Sequence, residues 1–121
     1  MFLCYSRKSK IFSDLTTLTK FPGTLANYQD EITEVFSKAV PQKSFEVFLF
    51  GSRARGDEEE GSDADLAIKG QDINSTDLSL IREQWEYSTV PVQLDLVNMK
   101  DINAALLTQI EHGKILLWTS K

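Results

Sequence analysis

Residues 45–50 are apolar on both faces of an extended strand and run straight into Gly51-Ser52-Arg53-Ala54-Arg55-Gly56; ten residues separate Ser52 from Asp63-Ala64-Asp65, which opens a second apolar run, Leu66-Ala67-Ile68. This stretch constrains the fold more than any other. A strand apolar on both faces needs cover on both sides, so 45–50 belongs at the centre of a sheet. Two carboxylates two residues apart at the mouth of a strand point to one face of that sheet. A glycine followed by serine at the end of the first strand lets another group approach the backbone where any side chain would obstruct it.

The remaining chain supplies the cover. A helix is predicted over residues 24–40, where Leu25, Tyr28, Ile32, Val35, Phe36 and Ala39 recur at three- and four-residue steps before Pro41. Residues 65–69 form the second strand. Ser75 or Thr76 can cap a helix running to about Tyr87, with Leu78, Ile81 and Trp85 on one face. Residues 92–97 are a third strand, Asp101 can cap a last helix ending at Gly113, and 115–118 close the chain as a fourth strand. The order implies an α/β (α+β) domain, a small mixed β-sheet of about four strands covered by helices, with no internal repeat and no dividing linker. Residues 1–23 read as an N-terminal extension, a short helix or loose tail, broken at Pro22-Gly23.

Composition narrows the class. A chain of 121 residues suits one core, and a net charge of −5 argues against a nucleic-acid-coating surface, because phosphate backbones reward clustered Lys and Arg; no direct nucleic acid is expected. Cys4 is the single cysteine, so no intrachain disulfide forms, and no apolar run is long enough for a membrane span. These features predict a cytoplasmic protein without a membrane partner.

The chemistry-bearing residues fall into a pattern. Backbone N–H groups after Gly51 and the Ser52 hydroxyl can donate to phosphate oxygens. The spacing of Gly51 and Gly56 imitates a Walker loop, but Asp57 and Glu58 stand where its Lys and Ser/Thr belong. An EF-hand fails because Ala67 occupies the third ligand position. Asp95 interrupts the apolar strand 92–97; if that strand lies beside the second, Asp63, Asp65 and Asp95 converge. Three carboxylates suit hard divalent cations, and two such ions ~3.5–4 Å apart serve nucleotidyl transfer by activating a hydroxyl and neutralising the departing pyrophosphate. Read blandly, Gly51-Ser52 is an ordinary turn, Asp63 a cap and Asp95 an edge-strand charge; their coincidence in one short chain favours a site.

Gly51-Ser52, ten residues, Asp63-x-Asp65 and the later Asp95 resemble the minimal nucleotidyltransferases (MNT) of the DNA polymerase beta superfamily. The wording Gly51-Ser52-Arg53-Ala54-Arg55-Gly56 and Ser62-Asp63-Ala64-Asp65-Leu66 is similar to MNT antitoxins paired with HEPN-domain toxins. The resemblance covers residues 24–118 and makes 24–121 a nucleotidyltransferase domain. It implies ATP as substrate, Mg2+ as cofactor in two ions, and antitoxin action by transfer of AMP to a tyrosine of the HEPN partner. Carried onto this chain, Gly51 and Ser52 hold the triphosphate, Asp63, Asp65 and Asp95 hold the metals, and Asp95 also activates the acceptor hydroxyl. Two other functions remain open: an antitoxin that neutralises by binding alone, and a small-molecule nucleotidyltransferase.

Lesser candidates surround these. Arg53 and Arg55 follow the turn and either can reach a phosphate. Lys69 is a candidate nucleotide contact, Glu58, Glu59 and Glu60 read as a solvated loop, His112 as a helix C-terminal residue, and Trp85 and Trp118 as core.

Overall fold

The structure, a computed structural model, describes residues 16–18, 21–56 and 63–120; Cys4, most of the N-terminal extension and the glutamates 58–60 lie outside the described residues. Five strands form one sheet: β1 Thr16–Leu18, β2 Phe45–Phe50, β3 Ala64–Lys69, β4 Leu94–Asn98 and β5 Ile115–Ser120. Their order across the sheet is β1-β5-β2-β3-β4. β1 with β5, β5 with β2, and β2 with β3 are antiparallel; β3 with β4 is parallel. β2 is thus central, as its doubly apolar sequence requires. The sheet has one strand more than the four legible in sequence, because Thr16–Leu18 extends β5 at the edge.

The helices are α1 Gln29–Ala39, the single turn α2 Ser52–Arg55, α3 Ser75–Tyr87 and α4 Ala104–Gly113. A 3₁₀ turn, Gly23–Tyr28, leads into α1, so the helix foreseen from residue 24 starts in tighter geometry. α1 and α3 pack together on one face of the sheet. Phe36 of α1 and Trp85 of α3 share that core with Val47, Leu49, Leu66, Leu96 and Trp118 of the strands. Trp118 is its anchor, meeting Phe36 edge-on at 5.0 Å and stacking on Phe21 at 5.8 Å between ring centroids. The other face carries Phe48, Ala67 and Met99 under Ile110 of α4, with Phe50, Val97 and Leu106 partly buried around them.

Local capping differs in detail from the sequence reading. Asn74, not Ser75, begins α3: its carboxamide oxygen accepts from the Asp77 N–H at 3.0 Å while Asp77 Oδ2 accepts from the Asn74 N–H at 2.9 Å. Asn103, not Asp101, caps α4 by accepting from Leu106 N–H at 2.8 Å. Asp77 also accepts from Lys43 Nζ at 2.7 Å; burial opposes its charge, but that bond and the Asn74 N–H together hold its carboxyl below the usual range. Among the described residues no helix is long and apolar enough to cross a membrane.

Strand parity positions the site. Asp65 alternates with Ala64 and Leu66, which face α1 and α3, so its side chain emerges on the α4 face; Asp95 does the same between Leu94 and Leu96. Parallel pairing sets Asp65 directly beside Asp95, and antiparallel pairing sets Phe50, the last residue of β2, on its other flank.

Candidate active site

Gly51 ends β2 with φ 77° and ψ −156°, a conformation that side chains rarely adopt. A Cβ at this position would lie 3.0 Å from Asp65 Cγ and overlap its Oδ2 outright. Two independent requirements, backbone conformation and space, therefore select glycine. The chain then turns at once into α2, where the amides of Ala54 and Arg55 both donate to the Gly51 carbonyl, at 3.1 and 3.2 Å. Ser52 is the first residue of that turn and is half-buried.

Asp65 is the electrostatic centre. It is half-buried, hydrogen-bonded to the Asp95 side chain and close enough to Asp63 to feel its charge. Burial first, then the charge of Asp95, then that of Asp63, push its carboxyl up to about 6, against the opposing pull of the Arg53 guanidinium. Below about pH 6 Asp65 holds a proton that it can donate to Asp95, which lets the two groups lie together. Asp63 stands exposed just ahead of β3, and Asp95 is exposed on the edge strand β4.

The three carboxylates expected to converge are thus unequal partners: Asp65 and Asp95 touch, and Asp63 acts on Asp65 through its charge. Among the described residues no three acidic, histidine or cysteine side chains gather closely enough, as they stand, to enclose one metal ion. The same donors fit a hard divalent cation, since all are oxygens and the charge on Asp65 is the one most in need of compensation.

Arg53 is placed as a brace. It is only 5% exposed, and its guanidinium donates to the Asp63 carbonyl at 3.3 Å through Nε and to Thr24 Oγ1 at 3.1 Å through Nη1. It ties the turn after β2 both to the start of β3 and to the entry of α1, a long-range role invisible in its sequence neighbourhood. Replacing Arg53 by alanine strips two acceptors of a charged donor and should destabilise the fold by about 2 kcal/mol; urea unfolding within ~0.5 kcal/mol of wild type would contradict the brace. Arg55 is exposed at the end of α2.

Lys69 falls away from the site. It ends β3 four residues beyond Asp65, roughly 13 Å along the strand, and lines a separate groove with Glu46 and Lys100. His112 is exposed in the last turn of α4, while Trp85 and Trp118 are buried in the core. Thr24 is a contributor the sequence reading did not single out, since nothing local distinguishes it from any threonine at a helix entrance.

Residues 30–121 match the family described as Polymerase beta, Nucleotidyltransferase. The chain belongs to that family. The match takes in Gly51-Ser52, Asp63-x-Asp65 and Asp95 within one domain. Solved structures with a similar fold include a toxin–antitoxin with AMP-PNP, at 22% identity and TM-score 0.63 over 74% of this chain and 72% of that one. A mutant of the MntA-HpeT toxin–antitoxin gives 20% identity and TM-score 0.62 over 74% and 72%. A rebuilt structure of the tri-AMPylated Shewanella oneidensis HEPN toxin in complex with its MNT antitoxin gives 19% and 0.57 over 76% and 70%. At such identities the likeness is one of nucleotidyltransferase fold. Among curated proteins no match is found.

Proposed function

We propose that this chain is a metal-dependent nucleotidyltransferase that moves AMP from ATP to a tyrosine hydroxyl of a HEPN toxin partner and so acts as its antitoxin. The observation that carries the reading is the in-register pair Asp65 and Asp95, of which Asp65 lies against Gly51 just after β2. Gly51 and Ser52 would receive the triphosphate, with Arg55 at the end of α2 within reach of its phosphates. Asp63, Asp65 and Asp95 would hold Mg2+, whose charge, once bound, offsets that of the departing pyrophosphate. The acceptor oxygen attacks the α-phosphorus as the bond between the α-phosphorus and the bridging oxygen breaks; the hydroxyl proton passes to the Asp95 carboxylate. Further support comes from the fold neighbours, which include a HEPN toxin carrying AMP beside an MNT antitoxin.

Incubation with a HEPN partner, Mg2+ and ATP labelled at the α-phosphate tests this. Label is expected on the partner with wild-type protein and at least ~100-fold less with Asp63→Asn, the scale on which a lost metal ligand or its support acts. No label with wild type, or equal label with Asp63→Asn, would overturn it. Neutralisation of the toxin that persists without label would mean that binding alone suffices.

A further inference from the structure

The outer surface of α1 and α3 has features that transfer chemistry does not use. Among the described residues, Leu80 and Tyr87 are the two large apolar side chains standing exposed, at 41% and 76%. Seven residues apart on α3, they share one face of the helix, separated by roughly 10 Å along its axis. Tyr87 also lines a cleft of about 180 Å³ between the two helices, with Glu31, Glu34, Lys38 and Gln84. Glu31 is engaged by Thr89, whose hydroxyl donates to it at 2.7 Å. Glu34 meets Lys38 at 3.6 Å with both side chains more than half exposed, a pair that solvent keeps weak.

The surroundings are acidic. Asp30, Glu83 and Glu86 are exposed on the same two helices, and the cations there are Lys38 and Arg82, the latter turned away to donate to the Leu96 carbonyl at 2.9 Å. Five carboxylates against two cations would repel a second copy of the same surface and attract a basic one. The cleft is on the face of the sheet opposite that on which the Asp65 and Asp95 side chains emerge, and one end of it adjoins the loop that leads to the edge strand carrying Asp95. Glu31 is bonded to Thr89 in the loop leading to Asp95, Trp85 Nε1 donates to the Val92 carbonyl in that loop, and Thr24, just ahead of α1, holds Arg53.

We propose that the α1/α3 cleft is the docking surface for the protein acceptor, a basic partner that lays an arginine between Glu34 and Tyr87 and apolar side chains on Leu80 and Tyr87. This rests on the transfer reading above and adds to it the surface by which the acceptor is held. An arginine suits the place because its planar fork pairs with a carboxylate and stacks on an aromatic ring at once. Tyrosine is among the side chains that most often carry binding energy at protein interfaces.

Titration of the HEPN partner onto wild type, Tyr87→Ala and Glu34→Lys, with Gln109→Ala on α4 as control, tests the proposal. Since these side chains are exposed, all four proteins should fold. Tyr87→Ala and Glu34→Lys are each expected to weaken the complex at least about ten-fold, the scale of a truncated interface anchor. In the transfer assay the same variants should raise KM for the partner while leaving kcat within about two-fold, because they bind the acceptor without touching the reacting atoms. Wild-type affinity retained by both variants, or a fall in kcat at unchanged KM, overturns the docking surface alone. A wild-type protein that neither binds nor labels the partner overturns the transfer reading and this surface with it.

Discussion

Gly51→Ala is expected to lower the melting temperature by roughly 10 °C and to reduce transfer below ~1% of wild type. Two costs add. Alanine must adopt φ 77° with ψ −156°, a conformation worth about 1–3 kcal/mol of strain. Its methyl must also displace the Asp65 carboxylate, whose Oδ2 occupies the space a Cβ would need. The second cost falls on the group most central to the site, so chemistry should suffer more than stability. A double-mutant cycle separates them: adding Asp65→Ala to Gly51→Ala should recover part of the melting temperature by relieving the overlap, yet recover no transfer. A Gly51→Ala protein that melts and transfers like wild type would mean that the turn is not held as described.

Asp65→Asn should do the opposite to stability. Its carboxyl is pushed up to about 6 by burial and by its two acidic neighbours, above its ordinary value of 3.8. Between those values the folded protein binds more protons than the unfolded chain, so stability falls as pH rises from about 4 to about 6 and is level above that. At neutral pH the ionised group therefore works against folding. A two-unit shift corresponds to ~3 kcal/mol, but Asp65 is only half-buried and solvent screening brings this nearer 1 kcal/mol. In buffer free of divalent cations at pH 7.5, Asp65→Asn should melt a few degrees above wild type, lose the decline between pH 4 and 6, and transfer at least ~100-fold less label. Mg2+ with ATP should raise the melting temperature of wild type and leave that of the variant nearly unmoved, since ligand stabilises only the state that binds it. A variant less stable than wild type at pH 7.5 would show that Asp65 is not under electrostatic stress.

The residues that wrote themselves most plainly into the sequence are those whose environment is local. Residues 45–50 are apolar but for Glu46, and β2 is found with both bounds as read. Asp65 and Asp95 each break an apolar run, and parity alone then places them on one face. Features set by distant partners were opaque. Thr16–Leu18 is a strand only because β5 offers it an edge. Arg53 beside Gly51-Ser52 reads as a phosphate ligand until Thr24 and the Asp63 carbonyl are seen to claim it. Choosing Asn74 over Ser75, or Asn103 over Asp101, depends on which backbone residue becomes extended at the helix entrance, and neighbouring side chains are equally able to cap. Lys69 shares a strand with Asp65 but ends it, and sequence alone does not say which end of a strand a site occupies.

The sheet order β1-β5-β2 has a consequence for synthesis. Among the described strands the one latest in the chain, Ile115–Ser120, lies between two made much earlier and brings Trp118 into contact with Phe21 and Phe36. While the ribosome still holds residues 115–120, β2 lacks one of its two neighbours and the aromatic cluster lacks its middle member. Asp65 and Asp95 can already be paired through β3 and β4 at that stage, on a sheet still missing a central strand. The core of this domain is therefore complete only once Ile115–Ser120 is in place, and a lesion in that strand acts on the core.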